Sequence, residues 1–415
     1  MLSANLFSGS VNLKADIAFV AALKIGNQIL ALASSILIAR YFTPAEVGKY
    51  ALFIALLNVL LIVGGMGTNI SFMKDVTIAG QEHNSSLVSS YLSFRVVNLL
   101  TLVPVTIIAG ILLESLWVTA FAFLTFCLLQ LVHLYAYEKR ACGNYVISEL
   151  TEWGAFRLFT FCSVCIAIIV AEFHVFYMAV VTFVAVFFSS VIWFWRSALI
   201  DLNLNLANYK KLLKVSFPFF VIHFASLLLI YTDTFAIKII LGYEALAYYD
   251  VSYKLAMAIL FLNTSITAVI APRIARWHAE RKYIKIKQVL IAYLKLTGVA
   301  SVILFVLGVI FCDAALSLWG SEYTSVSNVF LILLFGALVQ FVFGGMSVYL
   351  SMAGYQSIAA KISLGAGIFN MVANVILIPI FGLVGAAAAT CFSVLVVALL
   401  GAVYVRKYLG LHLNQ

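Results

Sequence analysis

Charge is what this 415-residue sequence has least of. Asp, Glu, Lys and Arg make up 10% of it, against 65% hydrophobic residues and a mean hydropathy of +1.12. Globular domains carry about 25% charged residues, so a soluble fold of this length would have too little polar surface to be solvated. Cytosolic enzymes, disordered chains and secreted disulfide scaffolds are excluded, and an integral membrane protein is left. Of the six cysteines, Cys127, Cys162, Cys165 and Cys391 lie within apolar runs, and Cys162-x-x-Cys165 has no flanking His or second CxxC. Neither a disulfide framework nor a metal site is expected. No GxxxxGK[ST], HExxH or GxSxG occurs, which argues against ATP as a direct energy source and against hydrolytic chemistry. No cofactor is expected.

What is present is a series of long apolar runs. A spanning helix needs about 20 mainly apolar residues, and twelve such runs fall near 17–38, 50–68, 88–110, 116–137, 155–171, 175–195, 215–236, 246–268, 289–311, 327–350, 358–379 and 384–405. The first is interrupted by Lys24, Asn27 and Gln28 and continues through Ile38-Ala39, so it reads as a spanning helix rather than a cleaved signal. No alternating ten-residue strand pattern appears, so the fold class is all-α. A polar stretch from Asp201 to Lys214 divides the runs six and six, giving domains 1–196 and 215–415 joined by a linker, 197–214. Such a duplication is common in secondary transporters. Ile38 to Tyr50 is echoed by Ile237 to Tyr249.

The net charge of +9 would suggest nucleic acid in a soluble chain, but here it reads as loop charge. With the N-terminus inside, even-numbered connections and termini hold seventeen basic residues, among them Lys210, Lys211, Lys214 and the run Arg273 to Lys287; odd-numbered connections hold Arg40, Lys49 and Lys238. That bias places both termini in the cytoplasm. The basic stretch 273–288 reads as an amphipathic surface segment in contact with headgroups.

A charge at the centre of a span is costly, so depth sorts the cations within helices. Arg157 and Lys295 lie near predicted ends and can reach the interface. Lys24, Arg95 and Lys254 lie seven or eight residues in, roughly 10–12 Å at 1.5 Å per residue, and are read as facing a wet cavity. Lys24, Asn27 and Gln28 share a stripe with Ser35; Arg95 and Asn98 share a face; Ser363, Gly367, Asn370 and Asn374 form another stripe. Interhelical hydrogen bonding is the competing reading for the amides. Three deep cations against one intramembrane acid, Asp233, predict an anionic cargo. Asp233 could pair with Lys, cap local structure, or take up a proton or sodium. A membrane-embedded transferase would need carboxylates grouped with a metal or His, and Glu149, Glu152 and Glu172 fall on opposite sides.

Three segments carry a family resemblance. Residues 38–51, IleAlaArgTyrPheThrProAlaGluValGlyLysTyrAla, resemble the segment after the first helix in the polysaccharide transporters of the MATE-related MOP superfamily. Tyr231-Thr232-Asp233 running to Tyr248–Leu255 resembles the start of their second half. Asn374 to Ala387 and on to Thr390 resembles their LIP-x-x-G-x-x-GAA turn. The resemblance implies two six-helix bundles in a V around a central cationic cavity. It also implies a Wzx-type flippase that carries undecaprenyl-diphosphate-linked oligosaccharide, an O-antigen or capsule repeat unit, across the bacterial inner membrane by alternating access. Lys24 and Lys254 match its diphosphate-contacting cations, with Lys where Arg is common; Arg95, Asn27, Gln28, Asn98, Asn370 and Asn374 complete the expected cavity. Membrane lipids, a polymerase and a chain-length regulator are the expected partners, and nucleic acid is not. The alternative is an ion-coupled multidrug antiporter of the same fold.

Overall fold

A computed structural model describes residues 13–79, 85–114, 116–170, 180, 182–184, 186–188 and 209–413. Most of the sixth predicted helix and residues 197–208 of the predicted linker lie outside them; the end of that linker, from Tyr209, is already helix.

The helices of the first part are α1 (Leu13–Tyr41), α2 (Pro44–Gly65), α3 (Thr68–Ala79), α4 (Ser85–Thr101), α5 (Val103–Leu113), α6 (Leu116–Ala141), α7 (Tyr145–Glu149) and α8 (Ala155–Val170). One π-helical turn, Leu150–Gly154, runs α7 into α8. From residue 209 follow α9 (Tyr209–Leu241), α10 (Tyr243–Met257), α11 (Leu260–Ala279), α12 (Tyr283–Ile310), α13 (Cys312–Leu316), a 3-10 segment Ser321–Val326, α14 (Ser327–Met352) and α15 (Gln356–Leu413), which bends at Gly382. Among the described residues, eight helical stretches are long and apolar enough to cross a membrane. The last joins the eleventh and twelfth predicted spans across the Gly382 bend. The third predicted span is present as the broken pair α4/α5; the fifth is α8, which continues from α7 through the π-helical turn.

Local chemistry sets the boundaries. Thr43 caps α2 by accepting the Glu46 backbone N–H at 3.4 Å, and Pro44 occupies the first turn, where its missing N–H costs nothing. Between α2 and α3, Gly67 has φ +75° and lies so close to α9 that a Cβ would run into the Phe220 nitrogen and Ser216 oxygen. Only glycine permits both this bend and this crossing. The hydroxyls of Ser71 and Ser216 close the contact at 2.6 Å. The basic stretch 273–288 is the end of α11, a turn and the start of α12 rather than a separate surface helix.

Packing is asymmetric along the molecule. At the end that carries the 41–44, 242 and 311–326 turns, one hydrophobic core is continuous between the first part and the second. It combines Leu52, Phe53 and Leu56 of α2 with Tyr249 and Val251 of α10, Trp319, Tyr323 and Leu333. At the opposite, basic end the cores separate. One holds Ile274, Leu290, Tyr349 and Leu409; the other holds Phe72, Tyr91, Phe94 and Leu134 with Leu212 from the start of α9. The two sets of helices therefore share one core at the turn end and hold separate cores at the basic end, where the start of α9 still packs on α3 and α4. The sides differ as well: α2 packs extensively on both α9 and α10, whereas α1 packs chiefly on α7 and α8.

Candidate functional site

Asp233 is the most elaborately partnered acid of the described residues. It sits on α9, fully buried, eight residues before the helix end. Its Oδ1 accepts from Asn370 at 2.7 Å and from Asn374 at 2.5 Å, both on α15. Its Oδ2 accepts from Tyr249 of α10 at 2.5 Å and from Thr390, beyond the bend of α15. Four donors from two helices, α10 and α15, hold one carboxylate. Asn374 Oδ1 is buried without a hydrogen-bond partner, so one acceptor remains beside the carboxylate. Asn370 and Asn374 thus belong to the Asp233 cluster, inside the second set of helices, and not to the open cleft. Tyr249 and Thr390 were not singled out from sequence, although both lie in the family-like segments.

Lys24 has its side chain 57% exposed, and its ammonium lies 3.9 Å from the buried carboxylate of Glu149. Glu149 is also 3.8 Å from Arg140, which donates to Glu152 at 2.6 Å. Gln28 is exposed; Asn27 is half-buried, with an amide nitrogen that is buried and unpartnered. Lys254 pairs with Asp250 one helical turn earlier at 2.5 Å. Both lysines expected in the cleft therefore carry an acid of their own. Glu149 and Glu152 precede the apolar run that begins at 155, but the helix already begins at Tyr145.

That earlier start also changes where Arg157 stands in its helix. It lies twelve residues into the α7–α8 helix, roughly 18 Å along it. Its guanidinium sits 5.7 Å from the ring centroids of Trp153 and Phe156, and its charge acts on the hydroxyls of Tyr50 in α2 and Tyr231 in α9. Lys295 is likewise twelve residues into α12 and exposed, but α12 packs on α14 and α11, away from the first set of helices.

Arg95 and Asn98 depart from expectation in the other direction. Arg95 is 3% exposed and donates to the Thr68 hydroxyl at 3.2 Å, the Asn69 side chain and the Gln130 carbonyl. Asn98, fully buried, accepts from Tyr209 at 2.9 Å and donates to the Gly64 carbonyl at 3.4 Å. Both tie α4 to α2, α3, α6 and α9 rather than face a cavity. The physical reason is that buried polar groups must be satisfied, and the α2–α3 break supplies freed acceptors. Among the described residues no group of three or more His, Cys, Asp or Glu is placed to hold a metal ion.

Comparison with known proteins places this geometry. The family described as polysaccharide biosynthesis protein matches residues 13–278. A probable low-salt glycan biosynthesis flippase of Haloferax volcanii, Agl15, is 25% identical over 180 residues, which is 43% of this chain and 38% of that protein. This chain is thus matched to less than half of that relative's length. The lipid II flippase MurJ in its inward closed conformation superposes with a TM-score of 0.77 at 14% identity, over 94% of this chain and 87% of MurJ. An inward-facing multidrug resistance MATE family transporter of the MOP superfamily superposes with a TM-score of 0.69 at 13% identity, over 95% and 99%. These likenesses show a shared α-helical membrane-transporter fold.

Proposed function

The chain belongs to the polysaccharide biosynthesis protein family, and on that premise we propose that it moves a lipid-linked oligosaccharide from one leaflet of a membrane to the other by alternating access. What supports this reading is the packing: the two sets of helices share one core at the turn end and hold separate cores at the basic end, and α1, with Lys24, Asn27 and Gln28, packs chiefly on α7 and α8 rather than on the second set. A sugar headgroup could enter between the separate cores while its lipid tail stays in the bilayer. The flippase relative supports the same reading.

The finer proposal is a Wzx-type carrier of undecaprenyl-diphosphate-linked O-antigen or capsule units, from the cytoplasmic to the periplasmic leaflet of a bacterial inner membrane. Both termini and the basic end would face the cytoplasm, and a polymerase and chain-length regulator would act on the product. Lys24 and Lys254 flank the path of the diphosphate. Asp233, with Asn370, Asn374, Tyr249 and Thr390 around it, is the proposed site of proton or sodium coupling. Its burial under four donors means that any change in its charge or ligation must be felt by α10 and both arms of α15. A cationic-drug antiporter is less well supported. The cleft acids Glu149 and Asp250 are each held by a cation, leaving no net negative charge to attract such a drug.

Deletion of the chain in its own cell tests the proposal. Lipid-linked oligosaccharide is expected to accumulate on the inner leaflet while surface glycan is lost. Normal surface glycan without accumulation would overturn the reading.

A further inference from the structure

Asp233 is sealed on one side and stands above a cavity on the other. Toward the turn end its partner Tyr249 is packed with Ile378, Ala386 and Ala387 in the continuous core. A Cβ on Gly385 would collide there with the Leu377 carbonyl oxygen, so passage on that side requires parting the two arms of α15. Toward the basic end a cavity of about 240 Å³ opens among Ser226 of α9, Ser347 and Ser351 of α14, Ser363 of the first arm of α15, and Val397 and Gly401 of the second. Ser226 precedes Asp233 by seven residues, and Ser363 precedes Asn370 by seven. Seven residues are about two helical turns, so each pair shares a face at roughly 10 Å along the helix. On the second arm Ser393, one turn from Val397 and nearer the cluster, is fully buried and donates to the Asn370 amide oxygen at 3.3 Å. Asn370 in turn donates to Asp233 at 2.7 Å. A line of neutral polar groups thus runs from the cavity to the carboxylate, inside the second set of helices. It is shut at one neck. Gly367 lies between Ser363 and Asn370, and a Cβ there would sit 2.8 Å from the Leu228 side chain and 3.3 Å from the Ala225 carbonyl oxygen.

The chemistry of the lining identifies the occupant. No lining residue is charged, so an anionic cargo finds no counter-charge there and a cation meets no repulsion. The volume is below the roughly 300–1,000 Å³ of small-molecule sites. It is too small for an oligosaccharide on a diphosphate and sufficient for a small cation with water around it. Hydroxyl oxygens are hard ligands of the kind such cations take. Deeper in, the partnerless buried Oδ1 of Asn374 beside the carboxylate is an acceptor that a cation or a protonated water satisfies. We propose that this cavity is the vestibule through which a monovalent cation, sodium or hydronium, reaches Asp233 from the basic end, with the Gly367–Leu228 contact as its neck. The ion then has a route of its own, apart from the path of the cargo. This inference rests on the reading of Asp233 as the coupling site.

The test separates ion entry from ion affinity in the purified full-length chain in detergent. One arm follows equilibrium binding of radioactive sodium and its release into unlabelled sodium; the other follows proton uptake after a drop in pH, read with a soluble dye. Wild-type protein should bind in at least one arm, and Asp233→Asn should abolish that binding. Ser363→Phe fills the vestibule two turns below the cluster. It should keep affinity within about twofold and slow exchange about tenfold or more, a barrier raised by about 1.4 kcal/mol. Should Ser363→Phe not fold, Ser363→Cys is treated after purification with a cationic methanethiosulfonate reagent, alongside wild-type protein treated in the same way. Exchange should then slow in Ser363→Cys alone and recover when a reductant removes the adduct. Wild-type protein that takes up neither sodium nor protons through Asp233 overturns the coupling reading, and the vestibule with it. If binding needs Asp233 but the filled vestibule leaves the exchange rate unchanged, or lowers affinity as much as rate, the vestibule alone is overturned.

Discussion

The indole N–H of Trp319 donates to the hydroxyl of Ser35 at 3.1 Å, joining the segment before α14 to α1 across 284 positions of sequence. Trp319 is fully buried. Beside it, Arg40 Nε donates to the Leu318 carbonyl at 2.7 Å. On the neighbouring contact, a Cβ on Gly48 of α2 would collide with the Tyr243 carbonyl of α10. The closed end is thus held by one large indole, one guanidinium and one backbone-to-backbone approach, and any carrier of this shape must break these contacts to open there. Trp319→Phe keeps most of the apolar burial and deletes the hydrogen bond, worth about 1 kcal/mol. Hydrogen exchange should then rise in 41–50 and 312–326 and stay unchanged in 354–362.

Arg95 and Lys24 should separate cleanly on mutation. Arg95→Ala strips the donor from the Gln130 carbonyl, the Asn69 side chain and the Thr68 hydroxyl, at about 1–3 kcal/mol for each buried group left unsatisfied. Lower thermal stability and less folded protein in the membrane are expected. Lys24→Ala, at an exposed side chain, should leave membrane levels normal and reduce surface glycan. Equal loss of folded protein in both variants would remove the distinction.

How far the site was legible in the sequence follows from what periodicity can and cannot report. A 3.6-residue stripe says which residues share a helix face; it does not say whether that face meets a cleft or another helix. Lys24–Asn27–Gln28 and Arg95–Asn98 look alike as patterns, yet the first lies on the loosely packed α1 and the second is locked between α2, α3 and α6. The echoed positions Ile38 and Ile237, and Tyr50 and Tyr249, are all buried in one core. Helix starts are harder to read than stripes: the apolar run begins at 155, but α7 and the π-helical turn carry the helix back to Tyr145, so Glu149 and Glu152 are helical and Arg157 lies twelve residues in. The Asp233 cluster was half legible: its acid and two amides carry polar signals in apolar helices, whereas Tyr249 and Thr390 are unremarkable as residues and become partners only through the bend of α15.

Asp233→Asn tests ion coupling. The substitution keeps the shape but turns one acceptor oxygen into a donor facing two of the four donors. Gradient dependence of transport should disappear, thermal stability should fall by about 1–3 kcal/mol, and cargo binding should persist. Unchanged gradient dependence would confine Asp233 to a structural role.

Topology is testable independently of transport. Glu280 lies in the turn after α11 between Lys282 at 2.6 Å and Arg276 at 2.7 Å, whose hydrogen bonds hold its carboxyl down to about 2. Glu280 therefore stays ionised throughout physiological pH, and the six basic residues of 273–288 outnumber it. A reporter inserted in 273–288 or fused after residue 415 should behave as cytoplasmic, and one near Glu322 as periplasmic. The reverse pattern would invert the proposed direction of transport.

The most direct measurement is leaflet exchange in vesicles that contain only the purified chain and a fluorescent polyprenyl-diphosphate oligosaccharide. Without protein, an impermeant quencher should reach about half of the label, that in the outer leaflet. With the wild-type chain the quenched fraction should approach completeness, and Lys24→Ala and Lys254→Ala should slow that approach at equal protein content. Quenching that stays at one leaflet's worth with wild-type protein, under an imposed proton or sodium gradient of either sign, would contradict the account.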